Sequence, residues 1–154
     1  MGLPKAVKVV KEFQYDFALD GGATGAIALK SVDESGDLLP EGMIVTDIAA
    51  VVETTITSGG TPTLTLGTTT DVDGFFVDVF AVFATANAVI RAGQVDGALI
   101  WNTTTDSALG YRVPSTAADQ NVLLTVGTAA LTAGKFKVMV EGWIPSSRQR
   151  SENR

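Results

Sequence analysis

Residues 135–143 read KFKVMVEGW, and this stretch decides the fold class. Phe136, Val138 and Val140 alternate with Lys135, Lys137 and Glu141. A period of two puts the apolar set on one face of a β-strand and the charged set on the other. Gly134 precedes the run and Pro145 follows it, and both residue types interrupt regular structure.

The same signal recurs outward from here. TLTL at 63–66 alternates between Gly59-Gly60 and Gly67, and Phe13, Tyr15 and Phe17 alternate with Gln14 and Asp16. Shorter strand signals occupy 26–29, 98–101, 111–113 and 122–126. Two segments carry more than one period. In 43–57, Ile44, Ile48, Val52 and Ile56 lie four apart, which fits a helix face or one face of a strand. The β-branched content and the Gly59-Gly60 stop favour one long strand. In 74–87, Phe76, Val79, Phe80 and Phe83 follow helical spacing, so a short helix or helical turn competes there with a strand.

Turn chemistry separates these runs at 20–22, 34–37, 58–60, 71–74 and 92–93, each containing Gly, most with Asp or Ser beside it. LTLGTTTD (64–71) echoes LTVGTAAL (124–131), as two similar strand–turn units do. Eight to ten strands with at most one short helix imply an all-β, antiparallel β-sandwich, jelly-roll-like, with a flattened barrel as the alternative. One sandwich domain is expected over 1–145, with 1–18 as an extended N-terminal strand or arm. The polar stretch 146–154, SSRQRSENR, has no apolar residue, a composition that predicts disorder unless a partner orders it.

Composition then narrows function. The chain has 154 residues, enough for one core, and neither Cys nor His. Without them there is no thiol chemistry, no Cys-based or HExxH zinc site and no Ser-His-Asp triad. The net charge of −6 and the scattered Lys and Arg oppose binding to a phosphate backbone. No apolar run approaches the ~20 residues of a membrane helix. MGLPKAVKVVKEF has no signal-peptide core, and Ala6 breaks the myristoylation motif. The expectation is a protein that uses no cofactor, no nucleic acid and no membrane.

Candidate sites are sparse. Asp71-Val72-Asp73-Gly74 places two carboxylates before a Gly, as calcium loops do, but it lacks their later ligands; a capped turn explains it. Asp33, Glu34 and Asp37 read as a solvated loop. The pairs Asp16/Asp20 and Asp47/Glu53 invite a glycosidase reading, yet Asp47 and Glu53 fall on the exposed side of a strand. Trp101, Tyr111 and Trp143 suit either a sugar-stacking platform or contact with core or subunit. Thr68–Thr70 and Thr103–Thr105 resemble ice-binding or lectin loops in composition alone, and Asn102-Thr103-Thr104 matches a glycosylation sequon. Only 18% of residues are charged, against roughly 25% in typical soluble domains, so Ala, Thr and Val are left at the surface, available for contact with other subunits.

Two long stretches, LPEGMIVTDIAAVVETTITSGGTPTLTLGTTTDVDGFF (39–76) and NVLLTVGTAALTAGKFKVMVEGW (121–143), resemble small structural proteins of tailed bacteriophages. The shared pattern is a long strand, an SGG turn, a TLTLG strand, a D-x-D-G-F turn and a closing strand pair. The resemblance implies a virion component, a capsid decoration or cement protein. It implies a homo-oligomer, commonly a homotrimer, that binds the major capsid protein on the capsid surface after synthesis in the host cytoplasm. It brings no catalytic residues. The readings kept against it are a tail or fibre component, a carbohydrate-binding module, and an enzyme working with carboxylates alone.

Overall fold

The computed structural model describes residues 5–33, 36–91, 101–102, 107–108 and 111–146. The strand signal at 98–100, the turn residues 34–35 and 92–93, the Thr103–Thr105 tract and the tail from 147 lie outside them, as does the side chain of Trp101.

The spine is an antiparallel pair of long strands, β4 (Ile44–Ser58) and β11 (Leu131–Ile144). The first strand, β1 (Val7–Asp16), pairs with β11 along its whole length, Val7 opposite Ile144 and Asp16 opposite Lys135. β3 (Lys30–Ser31) adds to the far side of β1; β6 (Val89–Arg91) and β9 (Tyr111–Arg112) add to β4. These six strands form one sheet, and β2 (Gly25–Ala28), β10 (Leu123–Gly127) and β5 (Thr63–Gly67) form a second. A two-stranded ladder, β7 (Trp101–Asn102) with β8 (Ser107–Ala108), stands apart.

The inner faces of the two larger sheets close on one core. Phe13, Tyr15, Ile48, Val52, Phe136 and Val138 from the large sheet meet Leu64, Leu66, Leu124 and Val126 from the small one, all buried. Phe136 meets two rings at a tilt, Phe83 with centroids 4.6 Å apart and Tyr15 with centroids 5.3 Å apart. The fold is thus the all-β antiparallel sandwich that the period-two pattern predicts. The echo between 64–71 and 124–131 has a simple basis: β5 and β10 are direct neighbours, with Leu66 opposite Leu124 and Leu64 opposite Val126.

The two ambiguous segments resolve differently. Residues 44–58 form the single long strand β4, but the four-apart series does not share one face. Ile48, Val52 and Ile56 are buried, whereas Ile44 is exposed beside Trp143. A register irregularity opposite Glu141 and Gly142 inserts Thr46, and one extra residue reverses the side-chain parity beyond it. Residues 74–87 contain one helical turn, α2 (Phe80–Phe83), which drives Phe83 into the core.

Two further single-turn helices exceed the one short helix expected. α1 (Phe17–Asp20) begins where the Phe13–Tyr15–Phe17 alternation was expected to continue. Asp16 caps it by accepting from the Ala18 amide, and the Asp20 carboxylate accepts from the Asp16 amide, so local capping ends the strand at Asp16. α3 (Ala117–Gln120) follows Thr116, whose carbonyl accepts from the Asp119 amide. No helix among the described residues is long and apolar enough to cross a bilayer.

Candidate interaction surface

The outer face of the six-stranded sheet is assembled in rows across the strands. The end row runs Lys8, Trp143, Ile44, Arg112, one residue from each of β1, β11, β4 and β9. The next holds Val10, Glu141 and Asp47, and the third holds Glu12, Met139, Ala49 and Arg91. The fourth is Gln14, Lys137, Val51 and Val89. A pleated sheet turns every second side chain outward, so the charged half of KFKVMVEGW lands here together with Met139 and Trp143.

Most of the charge on this face is held in ion pairs. Lys137 Nζ lies 2.9 Å from Glu12 and 3.4 Å from Glu53, and Lys135 Nζ bridges Asp16 and Glu53 at 3.6 Å each. Lys8 reaches Glu141 at 3.0 Å, and Arg91 pairs with Asp47. Hydrogen bonding to Glu12, then to Glu53, holds the Lys137 ammonium above its ordinary value. Between these pairs lie exposed apolar side chains: Trp143 at 43%, Ile44 at 37%, Val10 at 54% and Val89 at 49%. Trp143 and Ile44 are direct cross-strand partners flanked by the cations Lys8 and Arg112. An exposed aromatic and an exposed aliphatic side chain flanked by two cations have the make-up of an interface centre with a polar rim.

The other residues singled out from sequence do not join this surface. Tyr111 pairs with Val45 on the opposite face; its hydroxyl donates to the Asp119 carbonyl at 2.7 Å and its ring meets Phe75 edge-on. Burial, then the charges of Asp119 and Asp71, push its phenol up to about 12. Tyr111 and Trp143 therefore do not make one stacking platform. Asp71 and Asp73 sit in a tight turn: the Asp71 amide donates to Thr68 Oγ1, and its carbonyl accepts from Thr68 and Gly74. Burial, then Asp73, raises the Asp71 carboxyl. Asp37 accepts from the Ser31 amide and from Lys30, which lowers its carboxyl, and Asp33 accepts from the Ser31 hydroxyl. Among the described residues no three acidic side chains converge to hold an ion. Asp47 and Glu53 both lie on the outer face, each in an ion pair.

Sequence reasoning missed Ile44 as a surface residue and Arg112 altogether. The bulge in β4 leaves no signature in the residue types; the strand signal at 111–113 corresponds to β9, but it does not say that Arg112 stands beside Ile44.

No family model matches the chain, and no curated protein matches it by sequence. Solved structures do match. A chain in the capsid asymmetric unit of cyanophage Pam1 superposes with a TM-score of 0.62 at 19% identity, covering 94% of this chain and 89% of that one. A chain of the acid-stable capsid of Helicobacter pylori bacteriophage KHP30 gives 0.53 at 17% identity, covering 94% and 95%. At these identities the likeness is one of fold.

Proposed function

We propose that the chain is a structural component of a bacteriophage particle, a decoration protein that binds the major capsid protein on the capsid surface and stabilises the shell. The observation that carries this reading is fold likeness over nearly the whole chain to chains from two phage capsids. The phage-like strand and turn pattern of 39–76 and 121–143 points the same way. In this reading residues 1–145 act as one unit and assemble as a homotrimer. The row Lys8, Trp143, Ile44, Arg112 is its contact with a coat subunit, since Trp and Arg are the residues that most often dominate interface energies.

The test is addition of purified protein to expanded shells of the source phage that lack it. Saturable binding is expected, together with loss of at least about tenfold in affinity for Trp143→Ala, the ordinary scale of a buried interface aromatic. Shells that take up no protein overturn the reading. Immunogold label over tails instead of heads moves the protein to a tail or fibre.

A further inference from the structure

Covering the end row of the outer face sets a condition on whatever covers it. Trp143 is the direct cross-strand partner of Ile44, and Ile44 is in turn opposite Arg112. Side chains directly opposite across a sheet stand about 5 Å apart, so a body that seals Ile44 from water also takes water from Arg112.

The row has a cation at each end, and the two differ. Lys8 carries its counter-ion with it, Glu141 at 3.0 Å. Arg112 meets no carboxylate among the described residues. Its guanidinium lies by the turn at 40–43, where a Cβ added to Gly42 would stand 4.0 Å from Nη2. Stripping a guanidinium of water without a partner is strongly unfavourable. One that meets a carboxylate instead gains two parallel N–H···O bonds of fixed geometry.

The same face of a second copy is a poor source of that carboxylate. Glu141, Asp47, Glu12 and Glu53 already hold Lys8, Arg91 and Lys137. A copy docked face to face would bring a further Arg112 and acids that are already engaged. The net charge of −6 also repels an acidic partner as a whole, so attraction at this one point would fix where on the sheet such a partner settles.

We infer that the partner surface seats Trp143 and Ile44 in an apolar depression with an Asp or Glu at its edge, placed to receive Arg112 as a bidentate pair. The inference rests on the capsid reading above and adds the chemistry of the coat site. The partner is a protein other than this chain, and its contact is apolar and acidic.

Removing the charge of Arg112 tests this by the direction of the change. Purified parent, Trp143→Ala, Arg112→Met and Arg112→Glu are titrated onto expanded shells of the source phage that lack the protein. Arg112 is exposed, so its replacement leaves the core untouched. With a carboxylate opposite, Arg112→Met is expected to bind at least about tenfold more weakly than the parent, and Arg112→Glu more weakly still. With none, Arg112→Met binds as tightly as the parent or more tightly, because no charge has to be dehydrated. That result beside a weakened Trp143→Ala overturns the inference and leaves the capsid reading standing. Shells that take up no parent protein overturn both. Arg112→Met that lowers the sedimentation mass of the free protein assigns the guanidinium to a second copy and overturns the coat carboxylate.

Discussion

On β11, Phe136, Val138 and Val140 are fully buried, while Lys135, Lys137 and Glu141, each one residue away, stand in ion pairs facing water. The two faces of one strand thus meet opposite demands. The inner face is close-packed: tilted rings meet at Phe136, and Gly134 and Gly142 sit where the opposite strand comes too close for a Cβ. The outer face has no such fit. Its charges are paired but solvated, and Trp143 and Ile44 lie on its surface with no role in closing the core. The difference teaches that close packing resides on the inner face, and that the exposed apolar row takes no part in it.

The hardest blow to this division falls on the inner face. Phe136→Ala removes the ring that meets both Tyr15 and Phe83 and leaves a cavity in the core. The expected loss is about 3–5 kcal/mol, read from urea unfolding. A loss under about 1 kcal/mol would show that the core collapses around the gap and is not close-packed there.

Next comes Gly134, with φ +131, whose added Cβ would meet Ile56 Cδ1 at 2.3 Å and Cα at 2.7 Å. Gly25 has nearly the same backbone, φ +126, with open space around it. Gly134→Ala is expected to cost about 2–4 kcal/mol, combining strain with overpacking, and Gly25→Ala only the strain. Equal losses in the two variants would remove the claim that β4 and β11 touch too closely for a side chain.

How much of this was legible follows from what each face asks of the sequence. The inner face needs apolar residues at a fixed period, so β1, β4, β5, β10 and β11 all announce themselves in residue types. The helical spacing of Phe76, Val79 and Phe83 likewise announces buried residues, though not that their helix is one turn long. What stayed hidden depends on geometry without composition. A bulge carried Ile44 to the outside, and Lys11, a residue that reads as surface, is buried with its ammonium bonded to a loop carbonyl. The helices after Asp16 and Thr116 went unread: each is one turn long, and only Asp16 caps its helix through the side chain. The contact row was least legible: its members come from four strands, and only Trp143 stood out.

Alkali sharpens the comparison from the buried side. The protein has two tyrosines, Tyr15 and Tyr111, and both hydroxyls donate to carbonyls, of Gly21 and Asp119. Burial first, then neighbouring carboxylates, pushes each phenol up to about 12. An unfolded tyrosine ionises near 10. A raised folded value means that the neutral phenols contribute stability in full below about pH 10, and that it is lost as pH rises through about 12. Phenolate absorbance is therefore expected to lag behind the free amino acid and to rise together with loss of the far-ultraviolet dichroism of the sheets. Ordinary titration near pH 10 with the sheets intact would place both rings in water and undo the packing described around each.

The smallest effect belongs to the outer face. Lys137 pairs with both Glu12 and Glu53, yet all three side chains are solvated and Lys135 also reaches Glu53. Exposed pairs gain little because water and salt screen them and because long side chains lose freedom in pairing. Lys137→Met is expected to shift Tm by no more than about 2 °C, and molar salt to shift the parent protein by as little. The variant keeps the aliphatic stem over Val51 and removes only the charge, so a loss approaching that of Phe136→Ala would mean that the ladder is a structural element in its own right. A small shift leaves the inner face as the seat of stability, with the outer charges free to vary while the sheet stays standing.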